Sequence, residues 1–387
     1  MTFPVDPHEL IPNSSLTYDE ATGWTDSQAD AEVPGCTRSR LLAGSMLATA
    51  VLVAISLVLP TGFAVRGPGP TEDTLGEQNG VPLVDITGTE TFPASGELRL
   101  TTVSNGGGPV SDVFALDVLG AWLNSAHSTL PMEVVFPPNV TRAEHQQQSA
   151  AQMITSQEQA TAAALSELNI PVPATLTAAG FTEGSPSIGL INEGDVLQTL
   201  NGEELTTLED LLRGLSAVTP GNDVVVGVER DGERLEVTIT TITAQLPDGG
   251  TRAALGVFVQ SDYTFPFDVN IQIENIGGPS AGLIFALAII DLLTPDDELG
   301  GAVVAGSGTI DVDGTVGAIG GIEQKMHGAR RDGATYFLAP AANCHDVIGQ
   351  VPRGLRVVRV ATLAEARAAI TAIGAGTGSQ LPTCEAD

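Results

Sequence analysis

Two side chains in these 387 residues stand out for their chemistry, Ser280 and Lys325. The chain carries 16 lysines and arginines together, and Lys325 is the single lysine among them. Arginine keeps its proton near neutral pH, whereas a buried lysine can release it. Ser280 lies in Ile276-Gly277-Gly278-Pro279-Ser280-Ala281-Gly282, at the head of an apolar stretch, and Lys325 follows 45 positions later in Gly320-Gly321-Ile322-Glu323-Gln324-Lys325. A serine beside a deprotonatable amine can act as a nucleophile with its own base. The segment Gly278–Gly282 fits G-x-S-x-G, a weak signal in a chain with 44 glycines. Its physical content is stronger, because a strand-to-helix bend exposes the hydroxyl and free amides at the helix start can receive an oxyanion.

A serine–histidine arrangement would have to use His327 or His345. His327 is two positions from Lys325 on an expected helix, so the two side chains point to different sides. The chain runs only 107 residues beyond Ser280, short for an α/β-hydrolase. The serine–lysine pairing is the better reading.

These residues need elements to position them. Val269, Ile271 and Ile273 alternate with polar residues, as in a strand, and Gly277-Gly278-Pro279 makes a bend. Ser280 begins a helix that runs to about Leu293. Ala302 to Ile310 reads as a strand, Asp313-Gly314 as a turn, and Ile322 to Arg331 as the short helix carrying Lys325. Strands over 335–338 and 355–360 and a helix over 363–373 close the domain. Upstream, Thr141-x-x-Glu144 is a capping box that opens a helix of roughly 25 residues. Asn201-Gly202 and Asp231-Gly232 are hairpin turns. Leu208, Leu211, Leu212 and Leu215 share one helical face.

The run Glu193-Gly194-Asp195-Val196-Leu197, then Asn201-Gly202 and the amphipathic helix, resembles a PDZ domain. The resemblance implies binding of extended peptides by strand addition beside a helix. Ala178-Ala179-Gly180-Phe181-Thr182-Glu183-Gly184 is the candidate loop for a terminal carboxylate. Three further blocks resemble the proteolytic domain of the Lon family: Ile276–Gly282, Ala305-Gly306-Ser307-Gly308-Thr309-Ile310, and Gly314 to Lys325. Together the chain resembles the membrane-anchored PDZ–Lon branch of Gram-positive bacteria. That likeness implies Ser280 as nucleophile, Lys325 as base, and the Ser280 amide with Gly277 or Gly278 as oxyanion hole. Ser307 stands where Lon proteases usually carry a threonine that orients the lysine, and Gly277 where several relatives carry an acid. A hexameric homo-oligomer is likewise implied by the resemblance. The alternatives are a non-catalytic PDZ scaffold at the membrane and a serine hydrolase of small esters.

Composition narrows the partners. A net charge of −31 and a pI near 4.2 leave no basic stripe for nucleic acid. ATP binding by a phosphate loop requires G-x-x-x-x-G-K-[ST], and the one lysine is Lys325, so no such loop is written in these residues. No cofactor or metal is expected, because paired Cys/His spacing is missing. The expected partners are protein or peptide substrates and a membrane. Leu41 to Leu59 are 19 uncharged, mostly apolar residues, enough for a bilayer-spanning helix. Arg38 and Arg40 precede it, which predicts a cytoplasmic N-terminus and an extracytoplasmic remainder at the cell membrane. A cleaved signal peptide is the alternative. Cys344 and Cys384 would then share an oxidising compartment, where a disulfide between them could persist.

The expected fold class is α+β: an N-terminal transmembrane helix, a PDZ-like β-rich module, then a Lon-type α/β proteolytic domain. The expected boundaries are a disordered cytoplasmic tail over 1–40, the transmembrane helix over 41–65 and a linker over 66–80. A strand-containing connecting region follows over 81–140, and a helix plus PDZ-like domain over 141–245. The proteolytic domain spans 254–373 and a C-terminal tail 374–387.

Overall fold

The computed structural model of the chain describes residues 17–19, 23–25, 35–108, 111–136, 141–245, 250–273 and 276–385. It divides into two compact units, Met1–Leu59 and Pro60–Asp387. In the first, helix α1 covers Gly35–Val58, and its stretch Arg40–Val58 is long and apolar enough to cross a membrane. The expected span to residue 65 is too long. Pro60 has no amide to continue the helix, and a strand has begun by Phe63. Of the tail expected to be disordered, the described part ahead of α1 is a short antiparallel hairpin, Thr17–Asp19 with Gly23–Thr25. Residues 35–40 of that expected tail belong to α1, and the rest of it lies outside the described residues.

The second unit begins with strand β1, Phe63–Asp73, and strand β2, Glu97–Gly106, paired antiparallel. Residues 66–80, expected as a linker, therefore lie largely in a sheet. Gly67-Pro68-Gly69-Pro70 looks like a linker because prolines cannot donate to a ladder. The chain accommodates them with a break in register between Pro68 and Thr71. Helix α2, Ala115–Trp122, and strand β3, Ser128–Pro131, follow, and β3 pairs with the start of β1. Helix α3, Arg142–Glu167, opens on the predicted box: Thr141 Oγ1 accepts from the Glu144 amide, and the Glu144 carboxylate accepts from the Thr141 amide.

The chain then builds the PDZ-like part. Strand β4 is Ala174–Phe181, β5 is Val196–Leu200, helix α4 is Leu208–Ser216, β6 is Asp223–Arg230, β7 is Glu233–Thr240 and β8 is Val257–Tyr263. The sheet order is β7-β6-β5-β4-β8. Asp231 and Gly232 both have positive φ, +53° and +81°, as a two-residue turn between β6 and β7 requires. Leu211 and Leu215 of α4 pack on Val226, Val228 and Ile239. Asp195, the acid of the Glu193-Gly194-Asp195 run, is buried and takes both prongs of Arg230, at 2.8 and 2.6 Å. The last strand of this sheet, β8, lies beyond residue 254, so the expected proteolytic domain takes in a strand of the PDZ-like sheet.

Helix α5, Gly282–Leu293, strand β9, Val303–Gly306, helix α6, Ile322–Arg331, strands β10, Tyr336–Pro340, and β11, Arg356–Val360, and helix α7, Leu363–Gly374, complete the chain. The main sheet runs β11-β10-β9-β2-β1-β3. Its strands thus come from both sides of the PDZ-like segment, and the expected connecting region over 81–140 supplies β2 and β3. Parallel pairing of β2 with β9 joins the two halves. Helix α5 is apolar all round and buried from Leu283 to Ile290, as a helix in the middle of a core must be. Each of its buried Leu, Ile or Phe side chains contributes roughly 1.5–3 kcal/mol. Cys344 and Cys384 form a disulfide with Cα atoms 5.0 Å apart. Carbonyls of the tail also accept from Arg356 and Arg359, so the segment after 374 is bound to the sheet.

One charge sits badly in this core. Asp291 is buried, one carboxylate oxygen accepts from the Glu298 amide, and the other has no partner among the described residues. Burial, with Glu298 and Asp297 nearby, raises its pKa to about 6. A carboxyl whose folded pKa exceeds its unfolded value of 3.8 is stabilising when protonated. That benefit is lost as pH climbs from about 4 to about 6. Asp291→Asn keeps the accepting oxygen and removes the charge. It should raise the thermal midpoint at pH 7.5, by an amount equivalent to roughly 2–3 kcal/mol, and leave it nearly unchanged at pH 4. Melting curves of the two proteins at both pH values test this.

Candidate active site

Lys325 reaches its place because of how α6 begins. Gly321 caps the helix with φ +69°, and a Cβ there would sit 2.7 Å from Val103 and 3.2 Å from Arg66. Only glycine allows α6 to start this close to β1 and β2. Ile322, Met326 and Ala329 then pack into the core, and Lys325, one turn from the cap, is buried with 2% of its surface exposed. Ser280 follows the Gly277–Pro279 bend just ahead of α5. Its carbonyl accepts from the Gly308 amide at 2.9 Å and from Ser307 Oγ at 2.8 Å, so the segment after β9 holds it.

The side chains converge. Lys325 Nζ lies 2.7 Å from Ser280 Oγ and 2.8 Å from Ser307 Oγ. Ser307 is fully buried and its one hydroxyl proton goes to the Ser280 carbonyl. Toward Lys325 it can therefore only accept. A neutral amine that gives an N–H to Ser307 has its lone pair free for the Ser280 hydroxyl proton. Burial lowers the Lys325 pKa to about 7, and the Arg66 charge lowers it further within that value. Arg66, itself half-buried, hydrogen-bonds Asn105 from β1. Sequence reading gave Arg66 no role, because β1 was not visible as a strand.

Ser280 and Lys325 open into a cleft of about 320 Å³ lined by residues 101–105 of β2, Met153, Ile276, Gly277 and Gly278. Strand β2 pairs with β9 only as far as Leu100. Beyond that point its edge faces the cleft, where an extended peptide could add as a strand. Gly277 touches α3: a Cβ there would be 2.8 Å from Ser149, so the acidic side chain of some relatives would not fit without moving the helix. The Gly278 amide donates to the Ser149 carbonyl at 3.0 Å. It is therefore not free for an oxyanion as expected. The Gly277, Ser280 and Ala281 amides have no partner among the described residues. Ser156 of α3 also donates to the Pro279 carbonyl. Neither His327 nor His345 hydrogen-bonds Ser280 among the described residues, and exposed His345 lies 3.1 Å from Asp346.

A second, larger groove of about 1280 Å³ lies between α4 and β8, the last strand of its sheet. Leu208, Leu211, Leu212 and Leu215 form one wall. Of the expected carboxylate loop over Ala178–Gly184, the part to Phe181 is instead inside strand β4, while Thr182 and Glu183 follow the strand and line the groove. A second turn that enters the groove is Leu255-Gly256, whose carbonyls are taken up by Ser187 and the Thr182 amide. It lies after the sequence stretch that resembles a PDZ domain, which is why it escaped notice. Thr155, Glu158 and Gln159 of α3 line this groove too. The helix that fixes the Ser280 bend thus also borders the PDZ-like groove.

Two stretches of the chain match known domain families. Residues 274–370 match the Lon protease (S16) C-terminal proteolytic domain, and residues 175–241 match the PDZ domain. A Lon protease of Clostridioides difficile is 28% identical over 46% of this chain and 21% of its own length. Lon protease 1 of Bacillus subtilis is 34% identical over 25% of this chain and 13% of its own. The chain thus spans about a fifth or less of these relatives. Among solved structures, the PDZ domain of the SdrC-like protein from Listeria monocytogenes is 12% identical, with a TM-score of 0.20, over 22% of this chain and 86% of that one. The chain therefore carries a Lon-type (S16) proteolytic domain, an upstream PDZ domain and, among the described residues, one N-terminal apolar helix long enough to span a membrane.

Proposed function

We propose that this protein is a membrane-anchored serine endopeptidase that cuts extracytoplasmic proteins or peptides without ATP. The observation that carries this reading is the contact between Ser280 Oγ and a dry, singly represented amine, Lys325 Nζ, at 2.7 Å. Neutral Lys325 takes the Ser280 proton as Oγ attacks a substrate carbonyl. The oxyanion forms near the Ser280 and Ala281 amides, with Gly277 as a further donor. The ammonium then protonates the departing amine, and the acyl-enzyme remains. In the second half Lys325 takes a proton from a water whose oxygen attacks the acyl carbon; the bond to Ser280 Oγ breaks, the acid leaves, and the ammonium returns its proton to Oγ. Ser307 aims the lysine throughout. The substrate runs along the free edge of β2, and the PDZ groove selects it. Helix α1 anchors the chain with Arg38 and Arg40 on the cytoplasmic side. Assembly into a homo-oligomeric ring belongs to this reading by resemblance alone.

Three outcomes follow for the full chain in detergent. Ser280→Ala and Lys325→Arg should each lower kcat/KM on an unfolded protein by at least roughly 10³-fold. Absence of turnover by the unaltered chain on any unfolded substrate would leave a scaffold instead. The profile of kcat/KM should rise through about pH 7 and level off above it, since the base is the deprotonated lysine and its pKa is depressed to about 7. A profile that falls over this range would remove Lys325 from the role. Ser307→Ala strips the amine of one partner and should cost roughly tenfold or more in kcat with KM little changed, and Ser307→Thr should restore most of it.

A further inference from the structure

Helix α2 breaks the rule for surface helices. Val118 and Ala121 face inward and are buried. The outward face should be polar, yet Leu116, Leu119, Trp122 and Leu123 are 60%, 48%, 67% and 90% exposed. The Trp122 ring nitrogen is already satisfied by Thr129 Oγ1 at 2.8 Å, which leaves the ring as an apolar surface with its polar edge engaged. Asp117, the one charged residue of the helix, is tied to the Phe114 amide. No lysine or arginine occurs between residues 107 and 136. Contiguous exposed apolar residues of this kind mark an interaction surface.

Its place in the chain says what covers it. Helix α1 ends at Val58, and Pro60 already forms a bridge with Phe114, the residue before α2. Thr61 fastens the same point, with its amide and hydroxyl both donating to the Val113 carbonyl at 2.7 and 3.0 Å. At about 3.6 Å per residue at most, the start of α2 cannot leave the neighbourhood of the α1 exit. Trp and Leu are the side chains that settle at a bilayer boundary. We propose that the outward face of α2 lies in the boundary layer of the bilayer that α1 crosses, giving the proteolytic unit a second, non-covalent hold on the membrane surface. This rests on the reading of α1 as a membrane span. The contact is apolar, with no basic residue to seek anionic lipid.

The chain has two tryptophans, so Trp24→Phe leaves Trp122 as the sole one. The full-length variant is reconstituted into phosphatidylcholine vesicles, with and without bromine near the headgroup end of the acyl chains. An interfacial helix sits about 5–10 Å into the boundary, so Trp122 emission should fall roughly twofold or more with brominated lipid. The loss should be the same with added phosphatidylglycerol or high salt. Replacing Leu116, Leu119 and Leu123 by Gln, all exposed positions, should abolish the quenching while flotation with the vesicles is kept. A chain that floats with vesicles but whose Trp122 is unquenched overturns the proposal alone. Trp122 shielded instead by a second copy, seen as crosslinks between α2 helices, overturns it in favour of self-association. A chain that does not float overturns the membrane span and this proposal together.

Discussion

An amine held dry between two hydroxyls is the arrangement the rest of the proteolytic unit serves. Lys325 can shed its proton near neutrality only because α6 carries it inside, where water no longer stabilises the charge. The start of α6 can come that close to β1 and β2 only through the left-handed Gly321. Ser307, fully buried, uses its proton on the Ser280 carbonyl and its lone pair on Lys325. One residue thereby sets both the Ser280 backbone and the direction of the Lys325 amine.

Helix α3 extends the same constraint outward. Its Ser149 carbonyl takes the Gly278 amide, its Ser156 hydroxyl takes the Pro279 carbonyl, and Met153 lines the cleft. A few residues on, Thr155, Glu158 and Gln159 line the groove of the PDZ part. A single rigid element therefore borders both the peptide groove and the bend that presents Ser280. Any displacement of α3 would be felt at once by the Gly277–Pro279 backbone, because Gly277 packs against Ser149 with no room for even a Cβ.

The main sheet explains why the proteolytic part cannot be cut out as one stretch. Strand β2 from ahead of the PDZ segment pairs in parallel with β9 from behind it, and β1 carries Arg66 toward the buried lysine. Parallel pairing needs a long crossover, and here the PDZ part lies within that crossover. Strand β8 in turn leads from the PDZ sheet toward the Ser280 bend.

The sequence alone determined what depends on residue type and short spacing. The lone lysine, the glycine bend before Ser280, the capping box at Thr141, the two hairpin turns and the apolar span were all legible, since each is decided by neighbours a few positions apart. The PDZ and proteolytic motifs were legible for the same reason. Tertiary structure decided whatever depends on segments far apart in the chain. The Pro-rich stretch after residue 66 became a strand because β2 and β3 offered it partners. The groove turn came from Leu255-Gly256 because β8 returned to the edge of β4. The Gly278 amide was claimed by α3, which begins more than a hundred residues earlier. No local pattern encodes which distant backbone will arrive to take a hydrogen bond, so those parts of the site emerge only when the sheet is assembled.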